Sequence, residues 1–177
     1  MDLQIAGQQQ EQLLGAFESG PAGDAAREAF GRAYTAMMKR EWHTIGIHLG
    51  YRYEGSPLVI ADGTAEPEDT VSTYEPTSRP GHRAPHVWLS DGRSTLDLFG
   101  KGFVLLQFDR GADISALREV ASARSIPLYI EEIDEPNVVK AYVRLLVLVR
   151  PDGHVAWRGD RLPEDVSELI DRVRGAL

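Results

Sequence analysis

The sequence predicts an α/β domain built on a mixed sheet in its second half. Three observations indicate it: the apolar run Val143–Val149 is soon followed by Pro151-Asp152-Gly153, element types alternate from Gly102 onward, and an amphipathic stripe closes the chain. Seven residues rich in branched apolar side chains suit a strand buried on both faces better than a lone helix. Proline and glycine then favour a tight reversal into an antiparallel strand, His154–Arg158, with one face buried and the other in water.

Composition restricts the function. The chain has 177 residues, 42% hydrophobic and 26% charged, which is ordinary for a globular protein. Its formal net charge of −8 argues against nucleic acid or an anionic membrane as a partner. No apolar run reaches the roughly 20 residues that cross a bilayer, and a signal-peptide pattern is lacking, so a cytoplasmic location is predicted. The absence of cysteine excludes disulfides, cysteine nucleophiles and dithiol redox cycles.

Two helices are predicted in the first 50 residues. Residues 2–18 form a loose amphipathic helix that Gly20-Pro21 ends. Asp24 is the predicted N-cap of a longer helix over residues 24–49. Its apolar stripe contains Phe30, Tyr34, Met37, Ile45 and Leu49. So long a stripe needs a partner surface: packing on protein is favoured, and a cofactor cradle of Met37, Met38 and Trp42 is the alternative.

The middle of the chain is predicted to be irregular. Gly50 ends the long helix, Tyr51 begins an extended segment, and residues 58–60 pair briefly as a strand. Residues 61–85 are rich in proline and glycine, so we expect a long surface connection between a helical segment, 1–60, and a domain over 86–177. In that domain His86–Leu89 and Thr95–Leu98 are predicted to form a small hairpin around an Asp-Gly turn.

From Gly102 a regular order of elements is predicted. A strand over 103–108, a helix capped by Asp113 and a strand over 128–130 form a βαβ unit, which implies parallel strands. Residues 131–137 are interpreted as an acidic connection. The hairpin over 143–158 follows, and a last helix begins near Pro163. Preceded by the helical segment and the small hairpin, this β-α-β-β-β-α order is that of a thioredoxin-like domain.

Four segments, together spanning about residues 40–160, carry a resemblance to a known family. They are Leu49–Tyr53, Pro80–Leu89, Ser94–Gly100 and Leu148–Arg158. In these segments the chain resembles the C-terminal part of the FAD-dependent aromatic-ring hydroxylases, the group of phenol, chlorophenol and polyketide hydroxylases. The resemblance implies a thioredoxin-like module preceded by the end of the substrate domain. It also implies FAD, with NADPH, as the cofactor of a parent or partner enzyme.

For the chain alone, no bound cofactor and no catalytic residue are predicted. Binding FAD through a dinucleotide fold requires a Gly-x-Gly-x-x-Gly turn between a strand and a helix, and no such pattern opens a helix here. The Gly-Asp motif that the family resemblance implies for the flavin ribose has no counterpart. Phe108–Ala112 stands where a thioredoxin has its Cys-x-x-Cys.

The histidines do not predict a metal site. His82 and His86 are four positions apart, but Pro85 prevents the regular helix on which both rings would converge. His43 and His48 are five positions apart, which is off the spacing that places two ligands on one helix face.

Seven residues form a candidate surface for an aromatic ligand or a domain contact. They are Trp42, Tyr51, Tyr53, Arg83, Trp88, Arg150 and Arg158. In one interpretation the aromatic residues form a concave wall. In the other, the arginines converge with Arg161 near the hairpin, where ion pairs at a domain contact are favoured over an anion site.

Two functions from different classes are predicted as alternatives. The first is a noncatalytic module that acts in docking, dimerisation or stability, in which the helix over 24–49 contacts a flavin-binding domain, a partner flavoprotein or a second copy of the chain. The second is a free-standing binding protein for an aromatic or polyketide compound.

Overall fold

The structure, a computed structural model, describes residues 14–176, so most of the predicted helix over 2–18 lies outside the described residues. Two compact units are present. One contains the described residues up to Thr44 together with Val71–Thr73, and the other contains Ile45–Thr70 and the described residues from Tyr74 onward. In the described part of the chain, every helix is too short or too polar to cross a membrane.

The first unit contains one long helix, α1 (Pro21–Trp42). It begins before the predicted cap Asp24, because Gly20 at φ 86° is the N-cap and Pro21 occupies a first-turn position where its missing N–H costs nothing. The prediction of a single helix over 24–49 is wrong. His43 leaves the helical region with ψ 66°, where the nearby Thr44 and Gly46 also lower helix propensity.

The second unit contains a four-stranded sheet of strands β1 (Phe103–Gln107), β2 (Leu128–Glu132), β3 (Leu146–Val149) and β4 (Val155–Gly159), in the order β2-β1-β3-β4. Strand β1 pairs parallel with β2 and antiparallel with β3, and β3 pairs antiparallel with β4, so the predicted βαβ unit and hairpin are confirmed. The helices of this unit are α2 (Ile45–Leu49), α3 (Ser115–Ala123), α4 (Pro136–Tyr142) and α5 (Val166–Val173).

Helix α4 was not predicted, and the predicted connection over 131–137 is shorter than expected, since 131–132 belong to β2 and α4 begins at Pro136. Pro136 begins this helix rather than preventing one, since proline is favoured in the first turn. With α4 included, the order is β1-α3-β2-α4-β3-β4-α5, the predicted thioredoxin-like arrangement with one more helix.

Strand β3 is shorter than predicted, because Val143 is the C-cap of α4, with φ 68°. The last helix also starts later than predicted, at Val166 rather than near Pro163. Its N-cap is Asp165, whose carboxylate accepts a hydrogen bond from Glu168 N at 2.8 Å.

Strand β4 is buried on both faces, so the prediction of a water-facing side is wrong. Ile60, Gly81 and His82 form hydrogen bonds along its outer edge. Gly81 N donates to Val155 O at 2.7 Å, Val155 N donates to His82 O at 2.9 Å, and Ile60 N donates to Ala156 O at 2.9 Å. Ile60 is therefore hydrogen-bonded to the edge of the sheet, although residues 58–60 do not form the predicted strand. Residues 61–85 contain no regular helix or strand, yet their last part is buried and is not a surface connection.

The small hairpin has the predicted turn but not its second arm. Leu89 N donates to Arg93 O at 2.8 Å, whereas Thr95–Leu98 form a 3-10 helix. A capping box explains the helix, since Ser94 Oγ accepts from Leu96 N at 3.1 Å and Ser94 N donates to Asp97 Oδ2 at 2.7 Å.

Two buried clusters cover the two faces of the sheet. Alternate residues of the strands point to opposite faces, so Leu105 and Leu148 pack with α3 and α5, while Leu106 and Val147 pack with α4. The sheet is thereby buried on both sides and holds the turn between β3 and β4 in a fixed position.

Candidate functional site

The turn between β3 and β4 brings together part of the predicted candidate surface. Arg150 N donates to His154 O at 2.8 Å, and Gly153 takes φ 79°, as predicted for the tight reversal. The rings of Tyr53 and His154 have centroids 4.7 Å apart, and those of Tyr51 and Tyr53 are 5.7 Å apart. The guanidinium of Arg150 lies 5.7 Å from the centre of the Tyr53 ring. Tyr51, Tyr53 and Arg150 are thus neighbours.

Asp152 is the central polar group of this cluster. Its carboxylate accepts hydrogen bonds from Tyr53 Oη at 3.1 Å, Arg150 Nε at 3.2 Å and His154 N at 3.1 Å. Burial is the largest influence and raises the pKa of Asp152, but the His154 amide and Arg150 outweigh it and the pKa is lowered. The charge of Asp152 in turn raises the pKa of Tyr53. Near neutral pH the cluster therefore contains a carboxylate and a neutral phenol.

An open cavity of about 320 Å³ lies beside this cluster. The turn Pro151–His154 and Tyr51 form part of its wall, together with apolar side chains of Leu49, Leu96 and Phe99. Arg83 and His48 also line it. The volume is at the lower end of the roughly 300–1,000 Å³ of small-molecule sites.

Arg158 occupies a different place from Arg150 and Arg83. It is 8% exposed on β4, and its Nε donates to Asp62 Oδ2 at 2.6 Å. Arg158 shares no hydrogen-bond partner with Arg150 or Arg83 among the described residues. Arg161 is exposed.

Trp88 and Trp42 are both exposed, and Trp88 is not among the residues that line the cavity. Trp88 is 64% exposed, and its ring stands edge-on to His86 with centroids 4.9 Å apart. In the described chain no ring contact joins Trp88 to Tyr51 or Tyr53. Trp42, in the first unit, is 76% exposed. Within the predicted aromatic wall, the structure shows one ring contact, between Tyr51 and Tyr53. That Trp42 and Trp88 belong to the same wall stays a prediction.

The sequence did not predict an ion-pair cluster around Glu66. There the pattern Glu66-Pro67-Glu68 indicates only an irregular segment. Glu66 Oε1 lies 2.7 Å from His82 Nε2 and 2.9 Å from Arg52 Nε. Burial lowers the pKa of His82 despite the carboxylate. His86 has another partner, with Nδ1 2.6 Å from Ser94 Oγ. Within residues 14–176, no group of three histidine, aspartate or glutamate side chains is arranged to hold a metal ion.

The turn from β1 to α3 does not fit the pyrophosphate of FAD. In a dinucleotide fold the free amides of this turn bind the phosphates. Here Gly111 N donates to Asp109 Oδ1 at 2.8 Å, and Ser115 N donates to Asp113 Oδ1 at 2.9 Å. Two carboxylates thus occupy the positions that phosphate oxygens would need, and they would repel a pyrophosphate.

Known proteins match this chain in sequence and structure. An FAD-dependent monooxygenase of Emericella nidulans, apdD, is 35% identical over 86% of the chain and 26% of its own length. The 2,4-dichlorophenol 6-monooxygenase of Delftia acidovorans is 31% identical over 96% of the chain and 31% of its own length. The rebeccamycin biosynthetic enzyme RebC, solved with reduced flavin, superposes with a TM-score of 0.78 at 41% identity, covering 92% of this chain and 30% of RebC.

The chain spans about a quarter to a third of the length of these enzymes. A family model described as the C-terminal region of aromatic-ring hydroxylases matches residues 77–176, which contain the whole sheet. With the sheet order and the sequence identity in agreement, the chain belongs to the family of aromatic-ring hydroxylase C-terminal regions.

Proposed function

We propose that the chain is a noncatalytic module that docks on a flavin-binding domain of an aromatic-ring monooxygenase and stabilises it. FAD belongs, in this proposal, to that neighbouring domain. The absence of cysteine and the carboxylate-filled turn before α3 support a role without redox chemistry of its own. The large part of each relative that this chain does not match supports the presence of a flavin-binding partner.

The exposure of α1 is the observation that carries the proposal. Its 22 residues span about 33 Å at 1.5 Å per residue, and Gly23 is its one buried residue among those described. Tyr34 is 50% exposed, Met37 56% and Trp42 76%. A helix without a buried face is marginal in water, since packing supplies most helix stability. Apolar side chains on such a helix therefore favour a contact with a partner.

The test uses binding to a flavin-binding region. The portion of apdD that this chain does not match is co-expressed with the chain, and co-purification and flavin content are measured. Replacing Tyr34, Met37 and Trp42 together by glutamine should reduce co-purification by at least about tenfold, because apolar burial is lost. Tyr129→Gln, at a 44% exposed residue outside α1, is the matched control and should bind as the unaltered chain does.

Sedimentation of the chain alone tests whether α1 also pairs two copies. A dimer that the triple glutamine variant converts to a monomer would identify α1 as a self-association face. The docking proposal fails if the triple variant binds the flavin region as well as the control does, or if the purified chain alone retains FAD.

A further inference from the structure

Arg83 is a charged group without a counter-charge. The side chain is half-buried, and its guanidinium makes neither a hydrogen bond nor an ion pair with any residue that the structure describes; its charge acts on the neutral phenol of Tyr74, where it opposes the burial that raises the pKa of Tyr74. By contrast, Arg150 and Arg158 each hold a carboxylate within 3.2 Å. A partly desolvated guanidinium in a chain with 27 acidic and 19 basic residues is expected to have a carboxylate partner.

The backbone around Arg83 is held rigidly against the β3–β4 turn. Arg83 pairs with His154 as an antiparallel bridge, and Ala84 N donates to Gly153 O at 2.9 Å. The preceding residue, His82, accepts from Val155 N at 2.9 Å. The backbone position of Arg83 is therefore set by the sheet, so its side chain starts from a fixed point at the cavity.

The cavity of about 320 Å³ beside the turn is lined by both apolar and polar residues, and one of its charges, that of Arg83, has no counter-charge. Phe99 and Tyr51 contribute rings to its lining, and Arg83 contributes the charge. Asp152 also lines the cavity, but its carboxylate is already held by Arg150 and Tyr53. His154 adds a buried Nδ1 that has no hydrogen-bond partner in the described chain, 3.6 Å from Asp152 Oδ1.

We propose that this cavity binds a small aromatic carboxylate. The carboxylate pairs with the Arg83 guanidinium, whose planar fork matches its two oxygens, and the planar apolar body lies against Tyr51 and Phe99. A neutral ligand would leave Arg83 unpaired, and a cation would be repelled by it. The site lies entirely within the second unit and does not depend on α1, so it goes beyond the docking role.

Amide chemical shifts of the isotope-labelled chain test the site. Sodium 2-naphthoate is titrated in, and neutral 2-naphthamide serves as the matched probe of the same shape. We expect saturable shifts at Arg83, Gly100, Gly153 and His154, with half-saturation at roughly 1 mM or below, which is ordinary for a small ligand. Naphthamide should bind at least about tenfold more weakly, since it lacks the charge-assisted pair.

Two substitutions at Arg83 test whether its positive charge binds the carboxylate. Arg83→Gln should weaken naphthoate binding by about tenfold or more and leave naphthamide binding unchanged, whereas Arg83→Lys should retain part of the affinity. Arg110→Gln, at a 65% exposed arginine, is the control and should bind naphthoate normally. Salt provides a test without any substitution, since raising NaCl from about 20 mM to about 500 mM should weaken the binding of naphthoate and not of naphthamide.

The proposal is overturned by naphthoate shifts that do not saturate or that lie away from the cavity, by equal binding of the two probes, or by equal binding of Arg83→Gln. If Arg83→Gln does not fold, the proposal is tested by naphthoate binding to Arg83→Lys and by the effect of NaCl on naphthoate binding to the unaltered chain. The triple glutamine variant of α1 should bind naphthoate unchanged, so failure of this site and failure of docking are distinguishable.

Discussion

Arg158 and Asp62 form an ion pair that is almost completely buried, with Nε 2.6 Å from Oδ2 and side chains 6% and 10% exposed. Thr64 N donates to the same carboxylate at 3.1 Å. Arg158 also donates to Ser78 Oγ at 2.8 Å, and Ser78 donates to Tyr142 O at 2.5 Å. The pair thereby joins the irregular segment around Asp62 to strand β4 and to the end of α4.

The first prediction concerns acid stability. Burial is the largest influence on Asp62 and raises its pKa, but hydrogen bonds from Thr64 and Arg158 outweigh it and lower the pKa from 3.8 to about 2. Because the folded pKa is depressed, Asp62 contributes stability above about pH 5 that is lost as the pH falls towards 2. The loss is about 2 kcal/mol of unfolding free energy.

Urea unfolding between about pH 2 and pH 7 measures this contribution. Asp62→Asn should remove that part of the pH dependence and cost about 3 kcal/mol at neutral pH, since Arg158 is left buried without its counter-ion. Asp134→Asn, at a carboxylate 78% exposed, should keep the full pH dependence. An Asp62→Asn chain with an unchanged acid slope would contradict the prediction.

The second prediction concerns backbone strain at Val143. This residue has φ 68° and ψ −31°, and Arg144 N donates to Tyr142 O at 2.8 Å, which closes a strained γ-turn. A β-branched residue at positive φ costs about 1–2 kcal/mol, whereas glycine adopts it freely. Val143 is 68% exposed, so little burial is lost on truncation.

Val143→Gly should raise the free energy of unfolding by about 0.5–1 kcal/mol, after the greater freedom of glycine in the unfolded chain is subtracted. Val143→Ala keeps the Cβ and should give no gain. Thermal and urea unfolding of both variants measure the difference, and equal stability of the two would rule out strain at this position.

Strands of the sheet could be predicted from the sequence where their burial on both faces requires a continuous apolar run. Val147 and Leu148 lie in a run that is apolar on both faces, and a buried strand requires such a run. Helix α4 was missed because Pro136 was interpreted as a break, although first-turn proline is compatible with a helix. The burial of β4 was missed because it depends on Gly81 and Ile60, whose hydrogen bonds to β4 join residues far apart in sequence.

The third prediction compares two glycines at positive φ. Gly81 has φ +92°, and a Cβ there would lie 3.1 Å from Tyr53 O; Gly92 has φ +86° with open space around it. Gly92→Ala should cost about 1 kcal/mol, from the conformation alone. Gly81→Ala should cost at least about 2 kcal/mol, because the crowded carbonyl must also shift and the pairing with β4 is disturbed. Urea unfolding of the two variants measures both costs, and equal costs would contradict crowding at Gly81.

The candidate site was predictable in part. Tyr51 and Tyr53 are two positions apart on an extended segment, so their closeness follows from local geometry. The place of Arg83 in the same lining follows from its bridge to His154, and Phe99, which also lines the cavity, is the C-cap of the 3-10 helix that stands where a hairpin arm was predicted. Such long-range pairing has no signal in the residues themselves. Trp88 is a large aromatic that sequence reasoning assigned to the site, whereas its ring contact is with His86.

The last prediction concerns the carbonyl of Pro85, which accepts two buried hydrogen bonds. Tyr142 Oη donates to it at 2.8 Å and Thr95 Oγ1 at 2.7 Å. Burial raises the pKa of Tyr142 far above its ordinary value, so the phenol stays a donor throughout the neutral range. Tyr142→Phe leaves Thr95 on the carbonyl and keeps the ring against Phe108, so it should cost only about 1 kcal/mol.

Thr95→Val removes more than one bond. The Thr95 hydroxyl also accepts from Val87 N at 3.0 Å, so valine leaves this amide without its acceptor in the described chain. The expected cost is about 2–3 kcal/mol, larger than for Tyr142→Phe because an unsatisfied donor adds its desolvation penalty. Urea unfolding of both variants gives the order, and amide hydrogen exchange at Val87 should accelerate in Thr95→Val alone. The reverse order of stability would show that the phenol, rather than the threonine hydroxyl, is the main partner of this carbonyl.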